Sequence, residues 1–480
     1  MPNPSMGRKK TFNEYIYSLG QEITPSFNLQ FLIKGKGNIH PDKLQAAIAQ
    51  LADLLPQLRI LSNGKRWIFG GDVPPLILHK HKAPEDLNHK HYRRELPDAA
   101  GNLMEFHLFD EAELLFRIHH SVVDAKGAQI ILRNLFALLR GEKAEPYAGF
   151  DTDEALRTQL CENSEMSRES YAFHWPGFPL SPDPLSYQTQ LIDLPFKAEA
   201  PLAKLAVWYA QKFGDESRVM VPVDLRRHEG ARQAAANLSL PIFLQVEAKN
   251  TWQEVQAKLL QALHEKQELK KDRWEKLAKL SPAFLVKSLM KLGIRKAHKG
   301  KSFPMSAILS DNGSIDPEHY STVNFEASHL ISLPVFIPLA PFCANVILQK
   351  DRSLVCCSFP AHLDGKNLRE EIQECLMAEQ KMEEEKEPKI DIEGTEFEEL
   401  KKLWIDILEC PAELVDADEK FHNLGGDSLK LLSMLSELAD DFHLEPQSSF
   451  VSQALNTGGD LNIRQLIQLM EPYRTSTQRA

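Results

Sequence analysis

The sequence predicts a mixed α/β body of two similar lobes followed by a small all-α domain, and three observations lead there. Strand-like and helix-like patterns alternate as far as residue 378. The stretch EQKMEEEKEPKIDIEGTE (379–396) is charged, nearly free of large apolar groups and broken by Pro388 and Gly394. Such a composition cannot pack a core and reads as a linker, placed at 379–394. Beyond it, apolar residues recur only at helical spacing. At 480 residues the chain exceeds one ordinary core. The expected units are a body at 1–378, with lobes at about 1–175 and 176–378, and a helical domain at 395–475.

The elements of the body follow in order. FNLQFLIKGKG (27–37) reads as a strand, and Pro41-Asp42 opens the helix KLQAAIAQLADLL, with Leu44, Ile48, Leu51 and Leu55 on one face. The apolar run ELLFRI (113–118) suggests a strand buried on both faces. AQIILRNLFALLRGE continues as a helix stopped by Gly141. SRVMVPVDLR (217–226), SLPIFLQVEA (239–248), ANVILQK and SLVCCSF read as further strands, with a helix starting at Thr251. After the linker, FEELKKLWIDIL (397–408), SLKLLSMLSELADDF (428–442) and IRQLIQLM (463–470) are amphipathic helices of a small bundle.

Composition narrows the function classes. Hydrophobic residues make up 43% and charged residues 26%, as in a soluble globular chain. MPNPSMGRKKTF lacks the apolar core of a signal peptide, no run of about 18 apolar residues occurs, and a cytoplasmic location is expected. Six cysteines without a CxxC pair suggest reduced thiols, with Cys356 and Cys357 as packing residues in a strand. The net charge of −11 lies wholly in residues 391–480, where 18 Asp/Glu face 7 Lys/Arg. An acidic module on a neutral body implies separate partners and argues against nucleic acid.

Two short stretches can carry chemistry. In KFHNLGGDSLKLL the pair Gly425-Gly426 precedes Asp427 and Ser428 at a helix entrance. Asp427 can cap that helix, and Ser428 then lies in its first turn, where free N–H groups favour an attached phosphate. A capped loop-to-helix junction would use the same residues. In LLFRIHHSVVDAKG (114–127) a buried run ends in His119, His120 and Asp124. Asp124 can cap the following helix, and an imidazole with an unperturbed pKa near 6.5 can accept a proton at neutral pH. A polar strand end is the plainer reading of the same residues.

FHNLGGDSLKLLSML resembles the attachment site of acyl and peptidyl carrier proteins, and residues 395–475 have the family's length and helix order. The resemblance implies a four-helix bundle with 4′-phosphopantetheine carried covalently on Ser428, beside Asp427, and installed by a separate phosphopantetheinyl transferase. GGDSL is closer to the peptide-synthetase form of the site. HHSVVDAKG resembles the HHxxxDG motif of the condensation-domain acyltransferase superfamily, which includes chloramphenicol acetyltransferase and wax-ester synthases. NLQFLIKGKGNIHPDKLQAAIAQLADLLPQLRI, VPVDLRRH and LSDNG (309–313) resemble its other segments, over roughly residues 10–378. This implies a two-lobed chloramphenicol-acetyltransferase-like condensation fold. In it His120 would be the general base in a tunnel between the lobes, His119 a supporting residue, and Asp124 a structural partner of an arginine, with Arg226 the candidate. Ala125 stands where the motif has glycine, and no DFGWG of the plant branch occurs.

Together the resemblances imply transfer of an acyl group from a phosphopantetheine thioester to a hydroxyl or amine, in a secondary-metabolite or lipid pathway. With no P-loop or Rossmann fingerprint, a separate enzyme must load the carrier. Other carrier proteins are candidate partners. The alternative is an inactive condensation-like scaffold that presents its carrier to separate enzymes, and Ala125 favours it. Residues 266–301 hold 12 Lys/Arg among Trp274, Leu277, Leu280, Phe284, Leu285, Leu289 and Leu292. That stretch is an ordinary surface helix pair, a docking face for an acidic carrier helix, or a peripheral membrane or lipid contact. The histidines at 79, 81, 89 and 91 alternate, but no carboxylate or cysteine completes a site among them, so no metal is expected.

Overall fold

The computed structural model describes residues 7–473 apart from 25–26, 97–102, 145–150, 161–182, 184, 215, 229–233, 272–273, 378–394, 409, 422–423, 425, 427, 443, 445–449, 452 and 455–460. The linker expected at 379–394 and Asp427 therefore lie outside the described residues. Two sheets organise the body. The first runs in the order Phe325–Leu333, Asn28–Gly37, Glu113–His119, Met104–Phe109, Leu76–His79. The second runs Ser239–Glu247, Glu216–Asp224, Ala307–Ser314, Phe342–Gln349, Arg352–Pro360, Tyr187–Leu194. A small third sheet joins Arg8–Lys9, Arg66–Phe69 and Ile60–Asn63.

Glu113–His119 is the middle strand of the first sheet, so its apolar run is buried on both faces, as its composition predicts. Helices Pro41–Leu54 and Ala125–Leu139 cover that sheet through Leu44, Ile48, Leu51, Ile131, Leu135 and Phe136, all buried. Pro201–Phe213 and Trp252–His264 pack in the core of the second, the latter started by a capping box of Thr251 and Glu254. Gly141 ends the Ala125–Leu139 helix with φ +79°, a left-handed value that glycine takes without strain.

One strand crosses the boundary expected near residue 175. Phe325–Leu333 leaves the second half of the chain and pairs antiparallel with Asn28–Gly37, adding an edge strand to the first sheet. The first lobe therefore holds backbone from both sides of the expected boundary, which ties the two together.

After the body, Thr395–Leu408, Ser428–Asp441 and Ile463–Met470 form the C-terminal domain, with further helical residues at 450–451 and 453–454. Trp404, Phe421, Met434, Leu435, Leu438 and Leu466 make its core. Ser428–Asp441 also packs against Trp252–His264 of the body. Among the described residues no helix is long and apolar enough to cross a membrane.

Candidate functional site

The seam between the lobes brings the HHSVVD residues together with the second sheet. Asp124 caps the Ala125–Leu139 helix: its Oδ1 accepts the Gly127 N–H at 2.7 Å. Its Oδ2 accepts the Leu238 N–H at 2.7 Å and Arg226 Nη1 at 3.0 Å, so the expected arginine pairing is present and crosses the seam. Arg226 also donates to Asp224 at 2.6 Å and to the carbonyls of Ala234 and Ala236. Two carboxylates beside it hold its guanidinium charged despite burial. Asn237 Nδ2 donates to the His120 carbonyl at 2.8 Å, and Gln129 Nε2 to the Asn312 carbonyl at 3.1 Å.

The two histidines have opposite surroundings. His119 is buried; its Nδ1 accepts the Ser121 N–H at 3.2 Å, and burial lowers its pKa to about 3. It is a neutral, fixed ring. His120 is half-buried, and its Nδ1 lies 3.3 Å from the Val123 carbonyl. A carbonyl only accepts, so Nδ1 carries the proton and Nε2 keeps its lone pair. Burial lowers the His120 pKa, outweighing the opposing pull of Asp124 and the Val123 carbonyl. The ring lies against Tyr17 at 4.6 Å and Phe27 at 5.5 Å between centroids.

A cavity of about 140 Å³ adjoins this seam, lined by Asp124, Ala125, Gln129, Leu202, Leu259, Leu263 and residues 310–313 among others. His120 is not part of its lining; its ring sits under Tyr17 and Phe27 instead. Ala125 is the first residue of its helix and has no left-handed backbone, so alanine fits there without strain. The close approach falls on Gly127, where a Cβ would meet the Ala236 carbonyl at 2.8 Å. Asn237, Tyr17 and Phe27 were not singled out from the sequence. Gly127, two residues past Ala125, had a visible signal.

In the C-terminal domain Ser428 opens the helix Ser428–Asp441, so it stands at the end where backbone N–H groups are free. Just before it, Gly426 donates to the Phe421 carbonyl at 3.0 Å, and a Cβ on it would meet the Phe421 ring at 2.2 Å. Only glycine fits against that ring, and the free N–H groups of the helix start beyond it are a donor set that suits a phosphate-linked group.

Residues 398–461 match the family model described as "Phosphopantetheine attachment site". Comparison with curated protein sequences finds no match. The body is similar to solved condensation domains. That of the monacolin K polyketide synthase MokA has 12% identity and TM-score 0.56, over 78% of this chain and 96% of that one. A mutant starter condensation domain of rhizomide synthetase, solved with C8-CoA and Leu-SNAC, has 15% identity and TM-score 0.53, over 77% and 93%. Polyketide synthase associated protein 5 from Mycobacterium tuberculosis has 17% identity and TM-score 0.52, over 78% and 98%.

Proposed function

For this chain, a condensation-fold body joined to a carrier domain that bears covalent 4′-phosphopantetheine, we propose acyl transfer from a thioester to a hydroxyl or amine, giving an ester or amide. The observation that carries the reading is His120 at the lobe seam, its Nδ1 turned to the Val123 carbonyl at 3.3 Å, which leaves Nε2 as the nitrogen able to accept a proton. Its Nε2 takes the proton of the acceptor hydroxyl or amine, and its lowered pKa keeps it unprotonated for that task. His119 supports the strand end as a neutral ring, and Asp124 holds the motif helix against the second lobe through Arg226.

Ser428 is the proposed attachment residue, with Asp427 beside it. When bound, the group presents an acyl chain as a thioester on a flexible arm. A phosphopantetheinyl transferase installs the arm and a separate enzyme loads it. Packing of Ser428–Asp441 against the helix that supplies Leu259 and Leu263 to the cavity supports delivery in cis. An apolar acceptor or donor is supported by the helices Trp274–Leu280 and Ala283–Gly300, where Leu280 and Phe284 are 83% and 72% exposed among lysines. That surface suits contact with lipid.

The test is single-turnover transfer from the loaded carrier to an added alcohol or amine, followed by product mass. His120→Ala is expected to slow it by about 10²–10⁴-fold or more. Wild-type turnover in that variant would sink the general-base reading, and release without acceptor would mean hydrolysis. One observation favours an inactive body instead: Tyr17 and Phe27 cover the His120 ring. Absence of transfer by the loaded wild-type protein would support it.

A further inference from the structure

A cluster of imidazoles lies at the far edge of the first sheet, apart from His120 and Ser428. His79 ends the strand Leu76–His79, while His81 and His91 flank the segment that follows it. One ring nitrogen from each of His79, His81 and His91 lies within 4.8 Å of the other two. The ring centroids stand 5.5 Å (His79–His81), 5.1 Å (His79–His91) and 6.0 Å (His81–His91) apart, around a common point. Nitrogens on one Zn²⁺ ion sit about 2.0–2.1 Å from it. Side-chain rotation, freest for the exposed His81, would bring the three nitrogens onto one ion.

A second observation, independent of proximity, concerns His79. Its Nε2 lies 2.9 Å from His107 Nδ1, and His107 Nε2 lies 2.9 Å from Glu105 Oε1. Glu105 already accepts from Arg94 at 2.6 Å and Arg117 at 2.5 Å. A carboxylate only accepts, so His107 donates to Glu105 from Nε2. Its Nδ1 then accepts, so His79 donates from Nε2 and presents Nδ1 with a free lone pair. A carboxylate-to-imidazole chain behind a ligand is the arrangement that orients histidines at metal sites. Alternating histidines did not reveal it, because His107 comes from the neighbouring strand through the parallel pairing of Ile77 with His107.

We propose that His79, His81 and His91 bind one first-row divalent cation of the Zn²⁺ type, with its fourth position open to solvent. Three neutral imidazoles suit zinc and its neighbours better than calcium or magnesium. The cation clasps a strap between the lobes. From the same segment Asn88 accepts from the Thr189 N–H at 2.7 Å, while Arg93 donates to the Tyr187 carbonyl at 2.5 Å and covers the Tyr187 ring at 4.6 Å. Tying His91 to His79 and His81 fixes this strap to the first lobe.

The experiment is zinc titration of the full chain, freed of any histidine tag and stripped with chelator, with metal content read by mass spectrometry. The wild type is expected to bind one equivalent that His81→Ala/His91→Ala loses. His107→Gln should weaken binding roughly 10–100-fold by freeing the His79 ring. Zinc should also slow amide exchange around Asn88 in the wild type only. Circular dichroism confirms folding of the variants, and His81→Ala alone, at an exposed side chain, guards against a misfolded double variant. Equal zinc content in wild type and double variant, or none in either, overturns the proposal.

Discussion

Asp124→Ala tests how the lobes hold the motif. Three accepted bonds disappear at once: from Gly127 N–H, Leu238 N–H and Arg226. Losing a helix cap costs about 1 kcal/mol. Stranding the Leu238 N–H against the lobe seam costs about 1–3 kcal/mol. Arg226 keeps Asp224 and the carbonyls of Ala234 and Ala236, so its share falls below the roughly 3–5 kcal/mol of a fully orphaned buried charge. A total of about 3–5 kcal/mol follows. Urea unfolding followed by tryptophan fluorescence reads it, with Trp67 and Trp208 reporting one lobe each. A double-mutant cycle with Arg226→Met isolates the ion pair. A loss under about 1 kcal/mol, with no coupling to Arg226, would refute the view that Asp124 ties the lobes.

Other expectations concern protons. His120 must be neutral to act as base, and burial lowers its pKa, so the acid limb of kcat/KM should lie below pH 6.5 with a plateau above. A limb centred above pH 7 would count against His120. Asp153 is buried, with Asn13 donating to it at 3.0 Å and the Arg157 guanidinium in a looser ion pair at 4.0 Å; Glu14 and Glu154 also lie near. Burial raises its pKa to about 7, so the folded protein holds this proton more tightly than the unfolded chain. Its contribution to stability is then full below about pH 4 and declines as pH rises to about 7, by up to about 4 kcal/mol. Asp153→Asn should flatten that slope in urea titrations across pH. An unchanged slope would place the titration elsewhere.

The sequence made some features legible because they are local. A strand buried on both faces reads as an apolar run, and Glu113–His119 does so. Helix starts read as caps, and Asp124 and Thr251 both sit at theirs, while Ser428 lies in the first turn of its helix as expected. What could not be read depends on distant pairing. Phe325–Leu333 joins the first sheet through Asn28–Gly37, and its sequence FEASHLISL carries no sign of that partner. Tyr17 and Phe27 meet His120, about a hundred residues further along the chain, only in the folded protein. The glycine expected at position 125 is needed at 127, because the second lobe's Ala236 carbonyl approaches there. Histidine alternation was visible at 79, 81, 89 and 91, but its relay through His107 to Glu105 lies on a neighbouring strand.

The central claim is that His120 discharges an acyl group carried on Ser428. Intact-mass spectrometry of the protein from its native host, for the wild type, His120→Ala and Ser428→Ala, tests it most directly. The account predicts a phosphopantetheine adduct in the first two and none in Ser428→Ala, with an acyl group accumulating only in His120→Ala. The same acyl load in wild type and His120→Ala, or an adduct that survives Ser428→Ala, would contradict it.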